Sequence, residues 1–224
     1  MRRLIFFLVI GGLGLAALMS LGIWQLQRLA WKEEILATID ARIQDAPVAL
    51  PADANEARDK YLPVAIGGEI LPGELLVVTS RKGQGPGFRV IAPFLLEDGR
   101  RILIDRGFVP SAEERKERSL GSFELEGNLH WPQEVDSYTP APELDKNIWY
   151  ARDVTPMAAA LEAEPLMVIL REAPEGSHVT PMPVSTSGIA NDHLQYAITW
   201  FSLALIWALM TGSFLWRSRA KSEG

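Results

Sequence analysis

Two long apolar runs stand at the ends of the chain, and a region of mixed, alternating pattern lies between them. Residues 4–22 read LIFFLVIGGLGLAALMSLG, 19 positions with one serine and no charge. At about 1.5 Å per residue such a helix is about 28 Å long, close to the roughly 30 Å hydrocarbon core of a bilayer. Residues 197–216, AITWFSLALIWALMTGSFLW, form a second run of 20, whose Thr and Ser hydroxyls can bond their own helix backbone. The first run exceeds the apolar stretch of about 7–15 residues in a secretory leader, and no A-x-A site follows, so it reads as an uncleaved anchor. Trp24 and Trp31 beyond one span, and Trp200 and Trp216 on the other, fit interfacial belts.

After the first span, Trp31, Ile35, Ile39 and Ile43 recur every four residues, predicting an amphipathic continuation of the same helix that ends before Pro47 and Pro51. Packing on the external domain is the expected use of most of that stripe. Strands are predicted at 62–70, 74–80, 88–96, 101–109, 123–131 and 165–171. Pro72-Gly73 marks a turn and Asp98-Gly99 a hairpin. Thr155-Pro156, with the alanines that follow, predicts an N-capped short helix. The charged tract 111–118 reads as a solvated loop or short helix, and 178–188 as an extended return toward the membrane. Asn191-Asp192 would cap the second membrane helix. The predicted class is a membrane protein, two transmembrane α-helices flanking a β-rich α+β external domain, antiparallel and curled into a sandwich or barrel. The expected boundaries are a first transmembrane helix over 1–27 (span about 4–22), an external domain over 28–190, a second helix over 191–216 and a tail over 217–224.

Charge then orients the chain. Arg2 and Arg3 precede the first span, and Arg217, Arg219 and Lys221 follow the second, so the positive-inside rule places both termini in the cytoplasm. Residues 28–193 carry 17 Lys+Arg against 27 Asp+Glu and are expected outside, in a periplasm or its equivalent. The net charge of −6 and the lack of a basic run exclude nucleic acid as a natural partner. Absence of cysteine excludes disulfides, thiolate metal sites, covalent haem attachment and copper delivery by a cysteine pair.

Few residues offer chemistry. His130, His178 and His193 are too far apart for HExxH or HxH spacing, and no GxSxG elbow occurs, so a membrane-anchored enzyme lacks a catalytic constellation. The Gly-rich tract 81–87 lacks GKS/T and reads as a hairpin connection. His193 sits at the outer boundary of the second span, with Tyr196, Ala197 and Trp200 on its face. An aromatic wall around a neutral imidazole suits a planar metal-containing ligand such as haem. An interfacial histidine among ordinary belt aromatics fits the same residues, and bare chemistry prefers it. Trp24, Arg28 and Trp31 share a face on the first helix, where Arg28 suits a haem propionate or snorkels to the interface. Gln25 is placed to bond across to Asn191 or Gln195, which helix packing also explains.

Several stretches resemble the surfeit locus protein one family, in order from residue 22 to 201. They are GIWQLQRLAWK at 22–32, the Arg81…Gly87-Phe88…Pro93 stretch, IDRGFVP at 104–110, Trp149…Asp153 with Met157, and NDHLQYAITWF at 191–201. The resemblance implies a bacterial, non-enzymatic assembly factor for aa3-type haem–copper cytochrome c oxidase. It implies a haem a-binding protein that assists insertion into the catalytic subunit, with His193 as ligand to the haem iron. Tyr196, Trp200, Trp24 and Arg28 would line that site. With the resemblance, the ligand and packing readings of His193 stand level. Implied partners are the oxidase catalytic subunit, the haem a synthase and membrane lipids. The implied location is the bacterial inner membrane, with the large domain periplasmic. The alternative is a membrane scaffold that stabilises the nascent subunit without carrying haem. Arg106-Gly107 reads as a fold element, with Gly107 at positive φ or in close packing.

Overall fold

The computed structural model describes residues 2–220, in two units: Met1–Thr38 with Thr186–Gly224, and Ile39–Ser185. Of the basic flanks, Lys221 lies outside the described residues, as do the side chains of Arg2, Arg3 and Arg219. The helices are α1 (Arg2–Gln44), α2 (Glu56–Asp59), α3 (Val154–Ala160) and α4 (His193–Ala220). The strands are β1 (Val48–Ala49), β2 (Pro63–Ile70), β3 (Leu75–Arg81), β4 (Gly85–Leu96), β5 (Arg101–Pro110), β6 (Gly121–His130), β7 (Ile148–Trp149) and β8 (Met167–Leu170).

In the first unit, α4 packs antiparallel against α1. Burial on α1 recurs at Gly11, Leu15, Leu18, Gly22 and Gln25, steps of four and three that put one seam toward the partner. Glycine lets the large α4 side chains close in. A Cβ on Gly14 would lie 2.6 Å from the Trp207 ring, and one on Gly22 would lie 2.6 Å from that of Phe201. Trp207 Nε1 donates to Gly11 O at 2.9 Å, so this indole hydrogen is satisfied without water. Only 11% and 6% of the most apolar windows of the two helices are buried, so neither is the core helix of a soluble fold. Both are long and apolar enough to cross a membrane, and the chain is a membrane protein.

The second unit is a barrel. Strands β2, β6, β8, β5 and β4 form a closed ring of five, β4 pairing back onto β2. All ladders of the ring are antiparallel except β5–β8. Strand β1 extends the sheet beside β2, while β3 and then β7 extend it beside β4. The long β4 makes closure possible. Its first half pairs with β3, its end Phe94–Leu96 with β2, and a bulge at Val90/Ile91 shifts its register on β5. At the closure, a Cβ on Gly68 would stand 2.2 Å from Leu95 O, so only glycine admits the two backbones at this spacing.

Alternation fills the ring. Ile66, Ile70, Phe94, Ile102, Ile104, Leu125, Leu129 and Val168 make the central core, and Phe123 and Trp131 pack at its edge. A second cluster, with Trp149, Met157, Leu161 and Met167, lies under α3. All six predicted strands are present, within a few residues of their expected ends. The architecture is the barrel of the two alternatives.

Three expectations are corrected. The short helix is capped by Asp153, whose carboxylate accepts from Thr155 N at 3.3 Å, two residues before the predicted start. The α1 stripe is only partly packed: Trp31 is 53% and Ile35 38% exposed, and Ile43 alone is buried. Asn191 is not the expected cap, since its Oδ1 is buried without a partner among the described residues. Tyr196 N instead donates to Asp192 O, 3.1 Å away.

Candidate functional site

His193 opens α4, and the antiparallel seam brings it opposite Gln25 on α1. The imidazole Nδ1 and Gln25 Oε1 are 2.7 Å apart, and Gln25 is buried. With an amide oxygen as partner, Nδ1 is the donor, so in the neutral tautomer that makes this bond Nε2 carries the lone pair. A ring held through one nitrogen is fixed in tautomer and orientation, as metal-ligating histidines commonly are. The partner expected for Gln25 was Asn191 or Gln195; the structure gives it His193 instead. The heptad-like step from Gly22 to Gln25 was the signal that puts an amide on the seam.

The other expected residues fall into two sets. On α1, the Arg28 guanidinium lies 5.7 Å from the Trp24 ring centroid and 5.1 Å from that of Trp31. At these distances the guanidinium makes cation–π contacts with both rings. On α4, Ala197 packs into the seam, Trp200 is half-buried, and Tyr196 is 55% exposed. Lys32 donates to Ala190 O, tying α1 to the segment that leads into α4. The structure therefore joins His193 to Gln25, and Arg28 to Trp24 and Trp31. It shows no direct bond between these two sets.

An imidazole nitrogen can ligate a haem iron and the Arg28 guanidinium can meet a propionate, so these residue types are compatible with a haem. Among the described residues no group of three His, Asp or Glu side chains is placed to hold a bare metal ion. A cavity of about 460 Å³ in this unit, lined by Phe7, Trp207, Met210 and Phe214, lies toward the opposite ends of the two helices from His193.

The model of the SURF1 family matches residues 13–205, a stretch that includes most of α1, the whole barrel and the first part of α4. The chain belongs to the SURF1 family. Surfeit locus protein 1 of Homo sapiens is 30% identical over 223 residues, covering 88% of this chain and 72% of that protein. The Xenopus tropicalis protein of the same name is 30% identical over 213 residues, 84% of this chain and 68% of its own length. A SURF1-like protein of Monosiga brevicollis is 33% identical over 226 residues, 92% and 85% of the two chains.

In this SURF1-family chain the other motif residues serve the barrel. Gly107 has φ +117°, and a Cβ there would lie 2.3 Å from Thr180 O. Phe108 exchanges two backbone hydrogen bonds with Thr180, at 2.7 and 2.8 Å. Gly107 thus lets the returning segment lie against β5, so both expectations for it hold. Beside it, Asp105 accepts from Arg89 at 2.7 Å, from Arg152 at 3.1 Å and from Gly107 N at 3.1 Å. Arg89 also donates to Met182 O at 2.8 Å. Burial pushes the Arg89 guanidinium below its ordinary value, against the pull of Asp105. Arg152 goes up instead: burial lowers it, but its bonds to Glu134 and Asp105 outweigh that. This network escaped the sequence reading, although Asp105-Arg106 interrupting a buried strand was its visible trace.

Proposed function

We propose that this chain is a non-enzymatic assembly factor for aa3-type haem–copper cytochrome c oxidase, which binds haem a as cargo and assists its insertion into the catalytic subunit. The observation that carries this reading is the Gln25–His193 hydrogen bond, which fixes the imidazole with Nε2 available. His193 Nε2 ligates the iron, Gln25 holds the ring, and Tyr196 and Trp200 line the macrocycle. Arg28, backed by Trp24 and Trp31, offers its N–H edges to the propionates. The cargo supplies the redox-active iron that the oxidase needs; the chain holds it and keeps water from it. The oxidase catalytic subunit and the haem a synthase are the proposed partners. Membrane lipids surround the helix pair. The proposed location is a bacterial inner membrane, with both termini cytoplasmic and the barrel periplasmic.

The test is the absorption spectrum of the full chain purified after co-expression with haem a synthesis enzymes. A haem a spectrum is expected, altered and weakened in His193→Ala. Arg28→Ala should lower retention with the axial ligation unchanged, and His130→Ala and His178→Ala should do little. Full occupancy with an unchanged spectrum in His193→Ala would falsify the ligand assignment. A second reading, a scaffold that never carries haem, draws on the same bond, because a Gln–His clasp also serves helix packing. It predicts no haem in the wild-type protein, yet crosslinking to the oxidase subunit in native membranes. A periplasm-dependent reporter fused after Gly224 should stay silent if the topology is right.

A further inference from the structure

The barrel holds a buried cation that its own residues do not satisfy. Arg106 follows Ile102 and Ile104 on the inward face of β5, and its side chain is wholly buried. Nη2 donates to Ser119 O at 2.9 Å and to Ser119 Oγ at 3.2 Å. Nε and Nη1 are buried and have no partner among the described residues. The same holds for Arg118 Nε, on a guanidinium whose side chain is only 5% exposed. Arg118 spends its other nitrogens on Glu74 Oε1, Lys116 O and Glu114 O. Glu74 is hydrogen-bonded to Arg118 and also feels the charge of Arg106, and burial raises its carboxyl despite both arginines. All three side chains meet a cavity of about 530 Å³, walled also by Leu71, Ala92 and Leu120 and flanked by Arg115 and Lys116 and by Glu114 and Glu117. Unfilled donors on a buried charge are costly, so sites of this kind are completed by an anion or by water.

We propose that this cavity at the mouth of the barrel is a binding site for a phosphate-type oxyanion, held by Arg106 and Arg118. Three unpartnered nitrogens, carrying four N–H bonds, come from two guanidinium planes. A planar carboxylate offers two oxygens in one plane, whereas a tetrahedral phosphate offers oxygens out of plane to reach both. A small β-barrel commonly binds ligands in its mouth, with apolar walls and a few convergent polar groups. The oxyanion is either free phosphate or the headgroup of an anionic phospholipid.

The experiment uses the full chain in a zwitterionic detergent at matched ionic strength. Inorganic phosphate, against chloride, should raise Tm and broaden the phosphate 31P resonance. Arg118→Gln should weaken the affinity about tenfold, the scale of one charged hydrogen bond. Arg106→Met should abolish the response. If Arg106→Met fails to fold, the Arg118→Gln titration decides alone. A water-soluble phosphatidylglycerol is the second probe. Tighter binding of it than of phosphate identifies the headgroup as the source, and the reverse identifies the free ion. No response of wild type to either probe, or an equal response in the variants, overturns the site and shows that water fills it.

Discussion

The barrel and the helix pair bury polar groups by different means. In the barrel, Asp105 is fully buried and accepts from Arg89 and Arg152, which are 12% and 11% exposed, and Arg152 continues to Glu134. The seam between the helices instead holds one amide against one imidazole, and among the described residues the charged contacts of Arg28 and Lys32 lie at the end beyond the apolar run. The difference follows the solvent. Water at the barrel surface can screen the rims of a charge network, but a charge left within hydrocarbon finds no such help. A clasp between an amide and a ring nitrogen is the form of polarity a membrane helix pair tolerates.

The comparison breaks most severely at Asp105. Replacing it with alanine leaves two buried guanidinium groups facing each other, and should cost about 3–5 kcal/mol. Unfolding of the full chain by denaturant, followed by near-UV circular dichroism, reads this directly. Asp105→Leu combined with Arg89→Met and Arg152→Met should recover much of the loss, because apolar replacements leave no orphaned guanidinium. A loss below 1 kcal/mol in Asp105→Ala would mean the network is solvated.

Gly107→Ala tests the same neighbourhood through the backbone. Positive φ and a Cβ driven into Thr180 O should cost about 1–3 kcal/mol. The strain should fall on the returning segment, so limited proteolysis should cut near residues 178–185 faster than in the wild type. Unchanged cleavage there would show that the segment is held without Gly107.

What was legible in the sequence divides along the same line. Strand positions followed from alternation, the Asp98-Gly99 hairpin from its turn residues, and the membrane helices from length, because each depends on local pattern. Barrel closure was not legible: the β2–β4 pairing joins Phe94–Leu96 to Gly68–Ile70 across a hairpin, and no local signal names that partner. The residues proposed to bind were read as a face around His193. Gln25 was assigned the wrong partner because register between two helices depends on which small residues meet, here Gly14 with Trp207 and Gly22 with Phe201. Arg118 was read as solvated since its tract is highly charged, yet its side chain turns inward to Glu74.

Gln25→Leu sharpens the comparison on the membrane side. A hydrogen bond within a membrane bundle averages about 0.6 kcal/mol, so thermal melting in micelles should change little. The larger effect should be on the ring: freed from Nδ1, His193 loses its fixed tautomer, and haem bound during co-expression should show a broadened or shifted spectrum. Gln25→Glu keeps an acceptor and should preserve the spectrum better than leucine. Identical spectra in wild type and Gln25→Leu would remove Gln25 as a positioning residue.

The smallest effect belongs to His130, in the barrel. Its Nδ1 is buried without a partner among the described residues, and its ring meets Tyr61 edge-on at 5.3 Å. Burial, with Arg152 and Lys60 nearby, lowers its pKa to about 4 from the ordinary 6.5. The folded protein therefore keeps this imidazole neutral while the unfolded chain takes up a proton as pH falls through 6.5. Stability from this group is full above that value and is lost progressively down to about pH 4. Between pH 7 and 6 the loss should be about 0.5 kcal/mol after allowing for partial exposure. Few carboxylates titrate in that interval, so the slope can be assigned. Urea unfolding of wild type and His130→Leu at both pH values gives the difference, and the variant should lose that part of the pH dependence. Parallel profiles would show that His130 takes up its proton in the folded barrel as readily as in the unfolded chain.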